Sequence, residues 1–232
     1  MKNYKSLEVI RQKVIVCKNC DLCKTRKNSV PGVGNQNADI VFVGEAPGKS
    51  EDLRGKPFVG TAGKHLDEAL ENSGLARDQI YITNIVKCRP PNNRIPNDKE
   101  KIMCSDYLEN ELSIINPKII CLMGNTAYGS ILNGKCVSKN HGKIINKNKH
   151  MYFISYHPAA TIYNPKLGKI FKSDIKKLVV KSFDDEDKVN KEFYVNCLAY
   201  FDALRKSGKS DDVFEDEYFF TLPAVSGSGL DY

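Results

Sequence analysis

Asp39-Ile40-Val41-Phe42-Val43-Gly44-Glu45-Ala46-Pro47-Gly48 is the stretch on which the fold turns. Its first half is a short apolar, β-branched run, the pattern of a strand buried in a sheet. Its second half is rich in turn residues and places the acidic Glu45 just past the end of that strand. The same arrangement recurs three times. Tyr81–Val86 runs into Lys87-Cys88, Lys118–Met123 into Gly124-Asn125, and Met151–Tyr156 into His157-Pro158. Helical segments fall between them. Thr61–Ser73 is closed by Gly74. Another helix is opened by Asn97, with Glu100 as its capping-box partner, and ends before Pro117. Alternating strands and helices predict an α/β protein with a mostly parallel, four-stranded sheet covered on both faces. In such sheets ligands sit outside the carboxyl ends of the strands. Glu45, Asn84, Asn125 and His157 all fall at or just past strand ends, so one crevice can collect them.

Outward from this core, charge divides the chain. Residues 1–180 carry 29 Lys and Arg against 16 Asp and Glu, whereas residues 181–232 carry 6 against 12. The body is expected to bind a polyanion, and the acidic extension is not. The two parts are read as a domain over 1–180 and an extension over 181–232, the latter with an amphipathic helix over Asp187–Lys206 and a flexible Ser-Gly end. No apolar leader or long uncharged span occurs, so neither export nor membrane insertion is expected. Eight cysteines in such a chain point to a reducing, cytoplasmic compartment. Four of them form a pattern: Cys17 and Cys20 as C-x2-C after a helical segment over Tyr4–Val16, then Cys88 and Cys104. Thiolates from distant segments suit either a tetrahedral zinc site or a cubane iron–sulfur cluster. Cys23 is a third candidate in the first group, while Cys121 lies in an apolar run and is read as core.

The motifs then converge on a family. Gly44-Glu45-Ala46-Pro47-Gly48 with Glu51-Asp52 is followed by Gly55-Lys56-Pro57-Phe58-Val59-Gly60. Asn84-Ile85-Val86-Lys87-Cys88-Arg89-Pro90-Pro91 continues into Asn93, Arg94 and Pro96, and His157-Pro158-Ala159-Ala160 completes the set. With the cysteine spacing, residues 7–178 resemble the iron–sulfur uracil-DNA glycosylases, family four of their superfamily. The resemblance implies a three-layer α/β/α fold, removal of uracil from single- or double-stranded DNA, and a [4Fe–4S] cluster on Cys17, Cys20, Cys88 and Cys104, with Cys23 a bystander. A monomer associated with the nucleoid is expected, with a repair or replication partner as a possible role for the extension.

The chemistry gives each motif a task. The base must be flipped from the duplex into a pocket. There Phe58 is expected to stack on it, and the Asn84 amide to pair with uracil N3–H and O4. By resemblance, Glu51 stands where thymine's methyl would collide, and Ala46 belongs to the uracil pocket. His157 is the expected hydrogen-bond donor to O2 as negative charge develops there, and it need not be protonated to do so. Better-known relatives carry an acid where Ala46 stands, so Glu45, and after it Asn93, are the candidates for orienting water. Ile162 is the expected apolar wedge, and Lys87, Arg89, Arg94 and Lys169 are the expected phosphate contacts. The competing readings are a non-catalytic cluster-bearing nucleic-acid binder and a glycosylase for another deaminated base. A cousin that traps DNA through a His in an inserted loop is disfavoured, since no His lies between Arg94 and Cys104.

Overall fold

Four apolar runs become four parallel strands that end along one edge of a sheet. In this computed structural model the described residues are 4–182 together with Val195 and Ala199. The chain divides into two units, residues 1–191 and 192–232. In the second, Val195 and Ala199 are helical. Most of the helix expected over Asp187–Lys206, and the remainder of the acidic extension, lie outside the described residues. Among those residues no helix is long and apolar enough to cross a membrane.

In chain order the first unit comprises α1 (Leu7–Ile15), α2 (Leu22–Thr25), β1 (Val33–Gly34), β2 (Ile40–Gly44), α3 (Lys49–Arg54), α4 (Thr61–Glu71) and β3 (Tyr81–Asn84). It continues through α5 (Asp98–Ile115), β4 (Ile119–Met123), α6 (Gly124–Leu132), β5 (Ile144–Lys147), β6 (His150–Ser155), α7 (Ala159–Ile162) and α8 (Pro165–Ser182). The strand order is β1-β3-β2-β4-β6-β5. The inner four strands are parallel, and β1 and β5 pair antiparallel at the two edges.

The sheet thus has six strands where the apolar pattern predicts four. The two additions are edge strands with little pattern to read. One is a Val-Gly pair, and the other is half exposed along its length. The Tyr81–Val86 run stops being a regular strand at Asn84, although the Ile85 and Val86 N–H groups still donate to the Gly44 and Glu45 carbonyls before the chain continues to Cys88.

Burial divides cleanly between the faces. Val41, Val43, Ile120, Leu122 and Ile154 pack with α1, α5 and α6 residues such as Ile10, Val14, Leu108 and Ala127. Ile40, Phe42, Ile82, Ile119, Cys121 and Phe153 pack with α4 and α8 residues such as Leu66, Leu70, Ile175 and Leu178. Alternate strand residues therefore serve opposite cores, which is the three-layer α/β/α arrangement.

Helix α5 is the element that links the sheet to the polar centres, because it carries Glu100, Cys104 and Glu111 on a single buried side. Its start is fixed by a capping box. The Asn97 side chain accepts from the Glu100 N–H at 2.9 Å, and Glu100 accepts from the Asn97 N–H at 2.9 Å. Asn97→Ala is expected to lower stability by about 1 kcal/mol, read as an earlier midpoint in urea with an unchanged slope.

Candidate active site

The carboxyl ends of β2, β3, β4 and β6 open on a cavity of about 470 Å³. Glu45, Ala46, Glu51, Phe58, Asn84, Asn93, Arg94 and His157 all line it. These eight sequence candidates come from segments spread over more than 110 residues, and the parallel topology brings them to one place. Asn125 and Thr126, from the start of α6, line it as well.

Asn84 is the last residue of β3 and only 1 % exposed. Among the described residues its Oδ1 has no hydrogen-bond partner. An orphaned buried acceptor is costly, so its presence in a cavity wall points to a ligand that donates to it. Gly44 on the neighbouring strand makes room: a Cβ there would lie 2.4 Å from Asn84 Oδ1 and 2.6 Å from Phe58 Cζ.

Phe58 is buried and sits at φ 51, a left-handed conformation that a bulky side chain seldom adopts. Its neighbours hold it there. Arg77 Nη2 donates to the carbonyls of Pro57 and Phe58, both at 2.8 Å, and Asp67 anchors the same guanidinium at 2.6 Å. Glu51 Oε1 accepts from the N–H groups of Val59 at 2.9 Å and Gly60 at 2.8 Å, while Oε2 accepts from Gly48 N–H at 3.1 Å. Glu51 is therefore a clamp between the turn after β2 and the Phe58 loop, and it also forms part of the pocket wall. The Phe58 ring lies 5.7 Å from the His157 ring, between centroids.

His157 follows β6 and is partly buried. The Ala159 N–H donates to its Nδ1 at 3.1 Å, which leaves the ring proton on Nε2. Burial pushes its pKa down to about 4, against the smaller upward pull of the Glu51 carboxylate. The neutral ring is thus a donor through Nε2–H near neutral pH. Glu45 is held by the Thr126 hydroxyl, and Asn93 Oδ1 accepts from Arg89 Nε at 2.7 Å. Arg94 forms a two-pronged pair with Glu100 on α5, at 2.6 and 2.9 Å.

Four expected DNA contacts lie away from this lining. Lys87 needs correction. It is 1 % exposed, with Nζ bonded to Glu111 Oε2 at 2.6 Å, to the Asn84 carbonyl at 3.0 Å and to the Thr83 hydroxyl. A lysine whose donors are spent inside the core cannot grip a phosphate. Its basic, Pro-rich surroundings suggested exposure, but the carboxylate that draws it inward is 24 residues away. Arg89 is partly buried against Asn93, and Lys169 is exposed on α8. Ile162 is partly buried in α7, whereas the next residue, Tyr163, is 91 % exposed.

Cys17, Cys20, Cys88 and Cys104 border a second, smaller space with Leu22, Val86, Met103 and Tyr107. Cys23 is not among its walls. Among the described residues, no three His, Cys, Asp or Glu side chains close on a single metal ion. N–H donors are aimed at these sulfurs: Arg26 Nη1 reaches Cys88 Sγ at 2.9 Å, and the Lys87 amide reaches Cys104 Sγ at 3.3 Å. Arg26 Nη2 also donates to the Ile15 and Cys17 carbonyls, tying the end of α1 to the second cysteine pair. Burial raises the Cys88 thiol to about 11 and the Cys104 thiol to about 12, with Arg26 and Lys87 respectively pulling the other way. Four clustered thiols, two of them buried with donors aimed at their sulfurs, suit a bound metal group that takes up the thiolate charge. Arg26, Arg77, Thr126 and Glu111 escape the sequence reading, because each acts on a partner far along the chain.

In a pH titration followed by imidazole NMR, His157 is expected to stay neutral from alkaline pH down to about 4. A midpoint near the ordinary histidine value of about 6.5 contradicts the neutral donor.

Comparison with known proteins identifies the family. The family model for the uracil DNA glycosylase superfamily matches residues 31–190. A type-4 uracil-DNA glycosylase of Archaeoglobus fulgidus is 47% identical over 182 residues, covering 75% of this chain and 92% of that protein. One from Sulfurisphaera tokodaii is 48% identical over 183 residues, covering 75% and 83%. A type-5 uracil-DNA glycosylase of Pyrobaculum aerophilum is 34% identical over 148 residues, covering 56% and 65%. With the superfamily model matched over most of its length and such relatives nearly covered, this chain belongs to the type-4 uracil-DNA glycosylases of the uracil DNA glycosylase superfamily.

Proposed function

We propose that the protein hydrolyses the N-glycosidic bond of deoxyuridine in DNA, releasing uracil and leaving an abasic site. The observation that carries this reading is Asn84, buried with an unpartnered Oδ1, as a lining residue of the same cavity as Phe58 and a neutral His157. Uracil presents N3–H beside O4, and one fixed amide accepts from the first and donates to the second. Cytosine presents the reverse pattern and leaves that amide mispaired, a loss of binding energy that buried polar groups make large. Phe58 offers the flat face on which the flipped base stacks, worth about 1–3 kcal/mol.

As the C1′–N1 bond breaks, its electron pair moves onto the uracil ring and charge gathers on O2. His157 Nε2–H donates to that oxygen. Glu45, held by Thr126, orients the water whose oxygen bonds to C1′, and takes up its proton. Asn93 is already engaged by Arg89 and is the weaker candidate. Glu51 is held by three backbone donors, so it is a wall that cannot yield to a methyl at C5, and thymine is excluded.

The four cysteines Cys17, Cys20, Cys88 and Cys104 would hold a [4Fe–4S] cluster. Bound there, the cluster supplies a rigid covalent junction between the α1 end, the segment after β3 and α5. Exposed Lys169 and the pocket-side Arg94 remain the contacts for the DNA backbone, with Tyr163, more than Ile162, presented to the duplex.

A uracil-containing oligonucleotide treated with alkali after incubation is expected to break only at uracil, and a thymine control to stay intact. His157→Ala and Asn84→Ala are each expected to lower the single-turnover rate by about a hundredfold or more while the protein stays folded. Wild-type rates in either variant would remove that residue from the reaction. Anaerobically purified protein is expected to contain about four iron and four sulfide per chain, lost in Cys104→Ala. Stoichiometric zinc without sulfide would overturn the cluster assignment.

A further inference from the structure

Lys87 and Glu111 form an ion pair in the interior of the fold, each side chain 1 % exposed. Such a pair is seldom a net source of stability, because both ions give up their hydration. Its surroundings give it another use. Glu111 accepts from Thr83 Oγ1 at 2.8 Å, from the Tyr81 hydroxyl at 3.3 Å and from the Gly32 N–H at 3.3 Å. Lys87 Nζ completes the network by donating to the carbonyl of Asn84 at 3.0 Å. Every one of these contacts bears on β3 or on the residue just before β1. Neither side chain of the pair lines the cavity itself.

We propose that Lys87 and Glu111 are positioning residues for the base reader. Through the Asn84 carbonyl they fix the last peptide of β3 against α5, and so fix the direction in which the Asn84 amide meets uracil. The peptide that follows Asn84 is held at its N–H end by β2, where Ile85 N–H donates to the Gly44 carbonyl at 2.9 Å, and at its carbonyl end by Lys87 Nζ. A lysine reaching back three residues therefore adds the second restraint, on the carbonyl side of that peptide. The backbone N–H of the same Lys87 donates to Cys104 Sγ, so one residue borders both the cysteine centre and the reader. The inference rests on Asn84 reading uracil, as proposed above.

Removing one partner leaves a buried charge alone and is expected to unfold the protein, so both charges are removed together. Lys87→Met with Glu111→Gln keeps the stem volume at one site and an acceptor oxygen at the other. The expected result is a folded protein with wild-type iron content and wild-type affinity for abasic DNA. Its cleavage rate falls about a hundredfold, the scale of a small misplacement of a reacting group. Its inhibition by free uracil weakens about tenfold, the loss of one hydrogen bond's worth of alignment. Wild-type uracil inhibition in the folded double variant overturns the proposal, whether or not the rate has changed. If that variant does not fold, Glu111→Asp decides, because it keeps both charges while drawing Lys87 away from Asn84. Unaltered uracil inhibition there likewise overturns it. Wild-type protein that leaves uracil DNA uncut removes the premise instead, and the two failures are separable.

Discussion

Helix α5 is joined to the sheet by charges that never meet water. Each ion of the Lys87–Glu111 pair forgoes hydration worth several kcal/mol, and only close geometry with further hydrogen bonds compensates. Gly32, Tyr81, Thr83 and Asn84 supply those bonds, and satisfying them fixes the rotation of α5 about its own axis. The same helix then presents Glu100 to Arg94 at the pocket rim, Cys104 to the cysteine centre and Glu111 to the strand that ends in Asn84. Three clusters separated in sequence are therefore referred to a single helix.

The opposite wall of the pocket is held by a different device. Phe58 occupies a backbone conformation that costs about 1 to 3 kcal/mol, sustained by Arg77 on its carbonyl and by Glu51 on the amides next along the chain. A helical glycine, Gly63, is needed beneath it, since a Cβ there would lie 2.0 Å from the Phe58 carbonyl oxygen. The ring is thus placed before any base arrives. Ordering done during folding need not be repeated on binding, which is the advantage of a preorganised site.

The parallel strands, the helices between them and the gathering of Glu45, Asn84 and His157 at one edge were legible because they arise from local pattern. Apolar runs of five or six residues mark inner strands, and topology then places the residues just past their ends. Edge strands were not legible. Val33–Gly34 buries too little to leave a signature, and β5 is recognisable mainly through the hairpin turn at Asn148, which has φ 55. The misreading of Lys87 has the same origin. Its neighbours in sequence are basic and Pro-rich, but its environment is set by Glu111 and Thr83, and a partner 24 residues away leaves no local trace. Glu51 was legible as a pocket residue, while its clamp on Val59 and Gly60 required coordinates.

The ionisation of His157 decides what kind of catalyst this pocket is. With a pKa near 4, protonating the ring at pH 7 would cost about 4 kcal/mol, at 1.36 kcal/mol per unit. A mechanism that needs an imidazolium would begin by supplying that amount. In the proposed reaction a neutral ring donating through Nε2 supplies nothing in advance, and its hydrogen bond would strengthen as charge builds on uracil O2. Charge-assisted hydrogen bonds are roughly twice as strong as neutral ones, and more so in a site that excludes water. The gain therefore falls on the transition state and not on the bound substrate, which is the condition for raising a rate. In the proposed reaction the sugar cation left behind would face Glu45, an acid that lines the cavity after β2 and is held by Thr126. Depressing the histidine and keeping a carboxylate nearby are complementary arrangements, one for each half of the bond that breaks.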